Sequence, residues 1–498
     1  MKNSSIASLI LYSRHLFGLC IVAMLLASCA VNPASKKQDL VLMSEDQELA
    51  LGQQAAAQVA AQMPLLPEND PLVKYVNKVG QRVAAVSDRP ELFYHFHVVD
   101  DTTINAFALP GGYIYMYRGL LTHMNSEAEL AAVLAHEVGH VTARHAVQRY
   151  TQAQLYQMGA MVTSIFVPVP QGIGQISDLV ATAVISGYGR QAELQSDELS
   201  IRYIAKAGYD VEATKSILET LKRLDDLDSK IKEDTTGKKP EKYHGAFASH
   251  PETKKRIEEA VANSEGASTT GLGEIGHNAM LAALEGYPYG ESPEQGAMVG
   301  RRFIHPELGI QMAFPEKWVV TNTPQSLTAV KRQQKAYFKL QFKELVKRQT
   351  GEELLRELAS NQAKITTLKT SRRDGYDVTQ AEIDLSLKNV GAAHMLATVF
   401  MKGPKTFILT SWSKRKEFGE FQNDFSSIAD SFKSYDAKRD GDVPRIALYV
   451  WKQGDSWAGL AKQSHDILGN FTADKLAALN GEGPEQKPAV GSIIKIAK

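Results

Sequence analysis

His136, Glu137 and His140 stand in the order His-Glu-x-x-His. Residues i and i+4 of a helix lie one above the other on one face, so the two imidazoles can reach a single metal ion. Glu137, beside the first imidazole, is placed to take a proton from metal-bound water rather than to bind the metal. Leu130, Leu134, Val138 and Val141 keep helical spacing on another face. One side of this helix therefore belongs to a core, and the other turns its histidines into a cleft. Gly139 costs a helix about 1 kcal/mol relative to alanine, which predicts a close approach to the backbone there. The chemistry such a pattern supports is zinc-assisted hydrolysis, in which the metal activates water and polarises a carbonyl while Glu137 moves the proton.

A hydrolytic zinc ion takes three protein ligands and keeps a position open for water. His145 lies five residues after His140, on a different face of a continuous helix, and is expected to be a surface histidine at the helix end. Glu193 and Asp197 are four residues apart and share a helical face. One carboxylate can bind the ion while the other hydrogen-bonds a ligand histidine. Taken alone, the same pair reads as a solvated acidic edge.

The elements that must position these groups are legible around them. Ser126, with Glu129 three residues on, starts the motif helix as a capping box, and the helix is expected to run to about Val147. Tyr94 to Val99 alternates as a strand, and Asn105 to Tyr117 reads as two strands turned at Gly111-Gly112. That second run, with Asn105, Gly111 and Gly112, is a candidate edge to which an extended substrate can add through backbone hydrogen bonds. Helices are expected from Glu45 to Met63, Pro71 to Val86, Ala192 to Ala207, Val211 to about Leu227 and Pro251 to Asn263. Met158 to Gly187 is apolar but broken by Pro168, Pro170, Gly172 and Gly174, which fits a helix pair or a flap better than a membrane span.

The chain has 498 residues, 44% hydrophobic and 22% charged, and its 56 basic side chains balance 56 acidic ones. Zero formal charge argues against a general nucleic-acid surface, and a mean hydropathy of -0.24 against a polytopic membrane protein. At roughly 150 residues per domain the length suggests three folded units. Both cysteines, Cys20 and Cys29, lie at the N-terminus. A basic start and an apolar run from Leu16 to Ala27 end in Leu26-Ala27-Ser28-Cys29, which resembles a bacterial lipobox. The expectation is a signal peptide over 1–28, a lipid on Cys29 and a tether over 29–44. By resemblance to sorted bacterial lipoproteins, Ala30 and Val31 after Cys29 point to the outer membrane, with the folded part facing the periplasm.

Three motifs occur in order: Asn105-Ala-Phe-Ala-Leu-Pro-Gly-Gly, Ser126 to His140, and Glu193-x-x-x-Asp197 followed by Ala207-Gly-Tyr-Asp. Together they resemble the gluzincin zinc metallopeptidases that include HtpX, BepA and the CAAX prenyl endopeptidase, over about residues 45–265. The resemblance implies a mainly α zincin-type domain with a small β-sheet. It implies one zinc ion held by His136, His140 and Glu193, Glu137 as general base, and Asp197 bonded to a ligand histidine. It also implies that His250, in Ser249-His250-Pro251, is an inhibitory fourth ligand and that Arg256 is a catalytic residue facing the oxyanion. Ser196 departs from the alanine usual in the family.

Beyond a linker over 266–299, residues 300–437 alternate strands with helices near 351–361 and 418–432, and resemble a PsbP-like α+β sandwich. Residues 443–498 resemble a small LysM-like βααβ domain, which implies peptidoglycan as a partner. These resemblances imply a zinc endopeptidase of the cell envelope that hydrolyses misfolded or misassembled envelope and outer-membrane proteins. The sequence leaves open a second reading, a chaperone or scaffold for outer-membrane assembly whose zinc site is latent.

Overall fold

The computed structural model describes residues 29–34, 36, 38–41, 43–164, 188–236, 273–323, 326–331, 335–347, 349–359, 363–387, 391–468 and 471–498. The expected signal peptide, the helix expected from Pro251, His250 and Arg256 lie outside the described residues. The chain divides into two compact units. One comprises residues 1–285, 447–460 and 473–496, the other residues 286–446, 461–472 and 497–498. Among the described residues, no helix is long and apolar enough to cross a membrane.

The first unit opens with a short hairpin, β1 (Cys29–Val31) paired antiparallel with β2 (Gln38–Leu40). Helix α1 (Glu45–Gln62) starts at Ser44, whose hydroxyl accepts from the Gln47 amide while the Gln47 side chain accepts from the Ser44 N–H. Helix α2 (Pro71–Ala84) is capped by Asp70, with proline at its first position. Strands β3 (His95–Val99), β4 (Ala106–Leu109) and β5 (Tyr113–Tyr117) form a sheet in the order β3-β5-β4, parallel between β3 and β5 and antiparallel between β5 and β4. Gly111 and Gly112 make the turn between β4 and β5 at φ of 75° and 90°, where a Cβ is strained. Strand β4 is left as an outer strand of the sheet.

The short helix α3 (Arg118–His123) leads into α4 (Glu127–Thr142), the helix of the His-Glu-x-x-His motif, which is buried on all sides. Its start is held from several directions. The Ser126 hydroxyl accepts from the Glu129 amide at 3.1 Å, but the Glu129 carboxylate accepts from Asn125 N at 2.6 Å, so only half of the expected capping box forms. The first amides of α4, on Glu127 and Ala128, donate to the carbonyls of Gly276 and Ile275. The Glu127 carboxylate accepts from the Tyr75 and Tyr209 hydroxyls at 2.8 and 2.7 Å. Helices α5 (His145–Ser164), α6 (Arg190–Lys206), α7 (Glu212–Thr236) and α8 (His277–Leu284) follow in the same unit.

His123, at the end of α3, donates from Nδ1 to the Gly119 carbonyl at 2.7 Å, and burial pulls its pKa down to about 4. Between about pH 6.5 and 4 the unfolded chain binds a proton at this position and the folded chain does not. The stabilisation is thus present above pH 6.5 and lost as the pH falls towards 4. His123→Asn is expected to remove about 3 kcal/mol of the acid-induced loss, read as the wild-type-minus-variant difference in urea unfolding free energy between pH 7 and 4.

Parts of three stretches expected to be separate or connecting belong to the first unit. The expected linker contains α8, where Met280, Leu281 and Leu284 are fully buried. In the expected tether, Asn32 is buried and its amide donates to the carbonyl of Ala143, just past α4, at 3.1 Å. The C-terminal segment has the strand-helix-helix-strand order, with strands Ile446–Val450 and Ile493–Ala497 paired and helices Trp457–Leu468 and Ala473–Leu479 between them. Its residues 473–496 are part of the first unit. Lys495 is buried there, donating to the carbonyls of Thr122 and Met124 at 2.7 and 2.6 Å, just ahead of α4.

The second unit is built on a seven-stranded antiparallel sheet in the order 364–373, 376–387, 391–402, 405–414, 336–344, 326–331, 318–323. A four-stranded sheet accompanies it, ordered 433–434, 310–313, 302–305, 297–299. Helix Phe418–Ser431 packs on both sheets through Phe418, Phe421, Phe425 and Ile428, and helix Gly351–Ala359 buries Leu354 and Leu355 on the large sheet.

Candidate metal centre

Helices α4 and α6 cross at Gly139 and Ser196. A Cβ on Gly139 would lie 3.3 Å from Ser196 Cα, Ser196 O and Leu199 Cβ, so the glycine permits the close approach that its position in the helix suggested. The crossing is tied by Ser200 Oγ donating to the Ala132 carbonyl at 2.8 Å and by the Thr142 and Tyr203 hydroxyls at 3.0 Å. It carries Glu193, in the first turn of α6, to the two motif histidines.

His136 Nε2 and His140 Nε2 are 3.0 Å apart; Glu193 Oε2 is 3.5 Å from the first and Glu193 Oε1 is 3.6 Å from the second. All three side chains are buried, and among the described residues no other cluster of histidines, cysteines or carboxylates converges in this way. Ligand atoms about 2.1 Å from a tetrahedral zinc ion lie roughly 3.4 Å from one another, so the three atoms already have the spacing the ion requires. The donor set agrees. Asp197 Oδ1 is 2.9 Å from His136 Nδ1, and a carboxylate at that distance favours the tautomer with its proton on Nδ1, which leaves the Nε2 lone pair for a metal. Two nitrogen atoms and a carboxylate crowded together in a buried site are a place for a cation.

Glu137 is buried beside His136 without contributing to the converging atoms. The Tyr188 ring stacks on His140 with centroids 4.0 Å apart, and its hydroxyl donates to the Ala108 carbonyl of β4 at 3.4 Å. Burial and the negative charges of Glu137 and Glu193 push the Tyr188 phenol far above its ordinary pKa, so it remains a donor. Asn105 lies at the start of β4, where its side chain accepts from Ala106 N at 2.9 Å, and Gly111 and Gly112 lie just beyond the strand's end.

His145 is not at the surface. It is 4% exposed, and its Nδ1 is 2.8 Å from His140 Nδ1. The reason is a break in the chain: α4 ends at Thr142, Arg144 takes φ of 56°, and a new helix begins at His145. A helix continuing to Val147 would have turned the ring elsewhere. Arg144 carries a long side chain rather than the Gly or Asn that usually marks such a reversal, so the residue type gives no signal. Tyr188 was also missed; it is a single aromatic after an apolar stretch, with no spacing relation to the motif.

Ser196, the departure from the usual alanine, is fully buried, and among the described residues its hydroxyl has no hydrogen-bond partner. Ser196→Ala is expected to stabilise the protein by about 1 kcal/mol, seen as a higher urea midpoint with unchanged zinc content. A lower midpoint would show that the hydroxyl is held after all.

Residues 72–264 match peptidase family M48, and residues 301–434 match the PsbP family. The beta-barrel assembly-enhancing protease of Escherichia coli K12 is 30% identical over 189 residues, covering 36% of this chain and 38% of its own. The mitochondrial metalloendopeptidase OMA1 of Schizosaccharomyces pombe is 31% identical over 229 residues, covering 45% of this chain and 63% of its own. The match thus spans less than two-thirds of either relative. The solution structure of cyanobacterial PsbP from Synechocystis sp. PCC 6803 aligns with 28% of this chain and 95% of its own length, at 14% identity and a TM-score of 0.23. His136, His140 and Glu193 lie inside the segment that matches peptidase family M48, and the segment that matches PsbP follows it.

Proposed function

We propose that this protein is a zinc-dependent endopeptidase of the bacterial cell envelope, anchored to the outer membrane by a lipid on Cys29 and acting on misfolded or misassembled envelope proteins. The observation that carries the catalytic part is the convergence of His136, His140 and Glu193 beside a buried Glu137. The match to family M48 supports it. The envelope assignment draws on the lipobox-like residues 26–29 and on the bacterial relatives being beta-barrel assembly-enhancing proteases.

His136, His140 and Glu193 would hold the ion, with Asp197 fixing the tautomer of His136. Zinc, when bound, lowers the pKa of a water molecule towards about 7 and polarises the scissile carbonyl. Glu137 takes the proton from the attacking water and returns it to the leaving amine. Strand β4, the outer strand nearest the site, offers backbone groups to a substrate in extended form. A metallopeptidase working this way needs its substrate locally unfolded, as misassembled proteins are.

The deciding experiment purifies the full chain from membranes, measures metal by mass spectrometry and follows β-casein cleavage with and without o-phenanthroline. One zinc per chain, with cleavage lost to the chelator and restored by zinc, is expected. A chain without stoichiometric zinc, or cleavage indifferent to the chelator, would overturn the reading.

A further inference from the structure

The metal-facing lone pair of a histidine ligand exists only in one tautomer, and something must select it. For His136 the selector is Asp197. For His140 the partner of Nδ1 is the neighbouring imidazole of His145, at 2.8 Å. The other nitrogen of His145, Nε2, lies 3.1 Å from Gln195 Oε1. Gln195 stands on α6 between the ligand Glu193 and Asp197, so one helix reaches both motif histidines.

The direction of this chain of hydrogen bonds follows from its outer end. The Gln195 carbonyl oxygen can only accept, so His145 carries its proton on Nε2 and leaves Nδ1 as an acceptor. His140 must then donate from Nδ1, and its Nε2 is left with a lone pair directed at His136 and Glu193. With the Gln195 oxygen as the outer acceptor, every donor of the chain meets an acceptor, and the two Nε2 atoms 3.0 Å apart are left as lone pairs for a cation to take up. The selection comes from the protein alone, so the ligand is prepared before any ion arrives.

We propose that His145 and Gln195 are positioning residues that fix His140 in its metal-binding tautomer and so set the affinity of the site for zinc. The proposal rests on the metallopeptidase reading above. Neither residue touches the ion or a substrate. Their contribution is to remove a competing tautomer and to hold the ring, against which Tyr188 stacks from another side. Partners in such positions typically change metal affinity by 10- to 100-fold when lost.

The test uses the full chain stripped of metal and titrated with zinc chloride against a chromophoric chelator, giving the zinc Kd at fixed pH. His145→Phe keeps a ring but offers no acceptor and is expected to weaken zinc binding by about 10- to 100-fold. His145→Gln restores an oxygen that can accept from His140 Nδ1, and is expected to return to within about threefold of wild type. That rescue separates positioning from bulk packing, because glutamine fills the space less well than phenylalanine yet should bind zinc better. Gln195→Leu leaves His145 in place and is expected to weaken binding by a smaller factor, which keeps the test open if His145→Phe fails to fold. Wild-type affinity in both His145→Phe and Gln195→Leu overturns the proposal, as does a His145→Gln variant no better than His145→Phe. A wild-type chain that binds no zinc overturns instead the metallopeptidase reading beneath it.

Discussion

Glu137→Gln is expected to reduce β-casein cleavage by at least about a hundredfold, the range for loss of a general base being 10²–10⁴, while leaving one zinc per chain. The converging atoms belong to His136, His140 and Glu193, so the ion loses no ligand when Glu137 changes. Glutamine has the size and the hydrogen-bonding reach of glutamate, so a residue 1% exposed should be replaced without a cavity. What it lacks is basicity. An amide cannot take the proton from the attacking water, nor deliver one to the departing amine. Alanine would be a poorer probe, because a hole beside His136 could move the ring and confuse loss of base with loss of metal. Zinc content and kcat are to be measured on the same preparation. If zinc disappears with activity, Glu137 is a ligand or its scaffold; if cleavage persists near the wild-type rate, the base is elsewhere.

What the sequence shows of this site is what short range can encode. The spacing of His136 and His140 puts them on one helix face, and Gly111-Gly112 announces a turn, because both are decided within a few residues. Gly139 signals a close crossing, but nothing local says that Ser196 is what crosses it. The reversal at Arg144 is different in kind. A long side chain at positive φ is held there by distant contacts, its guanidinium bonding to Glu48 and to the Met43 carbonyl. No window around Arg144 contains those partners, so the helix reads as continuous and His145 as exposed. The expected linker is an opposite case: Met280, Leu281 and Leu284 have helical spacing and could have been read as a buried face. In the second unit, the strand Lys364–Arg373 lies at the sheet edge with most side chains exposed, so its sequence carries no alternation of apolar and polar residues to mark it.

Glu48→Ala is expected to destabilise the first unit by about 3–5 kcal/mol, the usual cost of removing one member of a buried ion pair, and to weaken zinc binding with it. Glu48 is 1% exposed, with Oε1 accepting from Arg89 at 3.0 Å and Oε2 from Arg144 at 2.8 Å. Both guanidinium groups are themselves buried, and Glu45, the other carboxylate near Arg89, is 3.6 Å away and largely solvated. Without Glu48, two cations are left out of water with little compensation, and water must enter or the helices must part. The effect reaches the metal because Arg144 is the residue whose reversed backbone turns His145 back towards His140. Left-handed backbone costs a residue with a Cβ about 1–2 kcal/mol, and the bonds to Glu48 and Met43 are what offset it here. Glu48→Gln should fall between wild type and alanine, since it keeps the shape and an acceptor but not the charge. The measurement is the urea transition that added zinc shifts to higher concentration, followed in the metal-free chain, together with the zinc Kd. A loss under 1 kcal/mol would mean that the arginines find other anions. A full loss of stability with zinc affinity untouched would mean that the turn at Arg144, and with it the placement of His145, is held by the rest of the core.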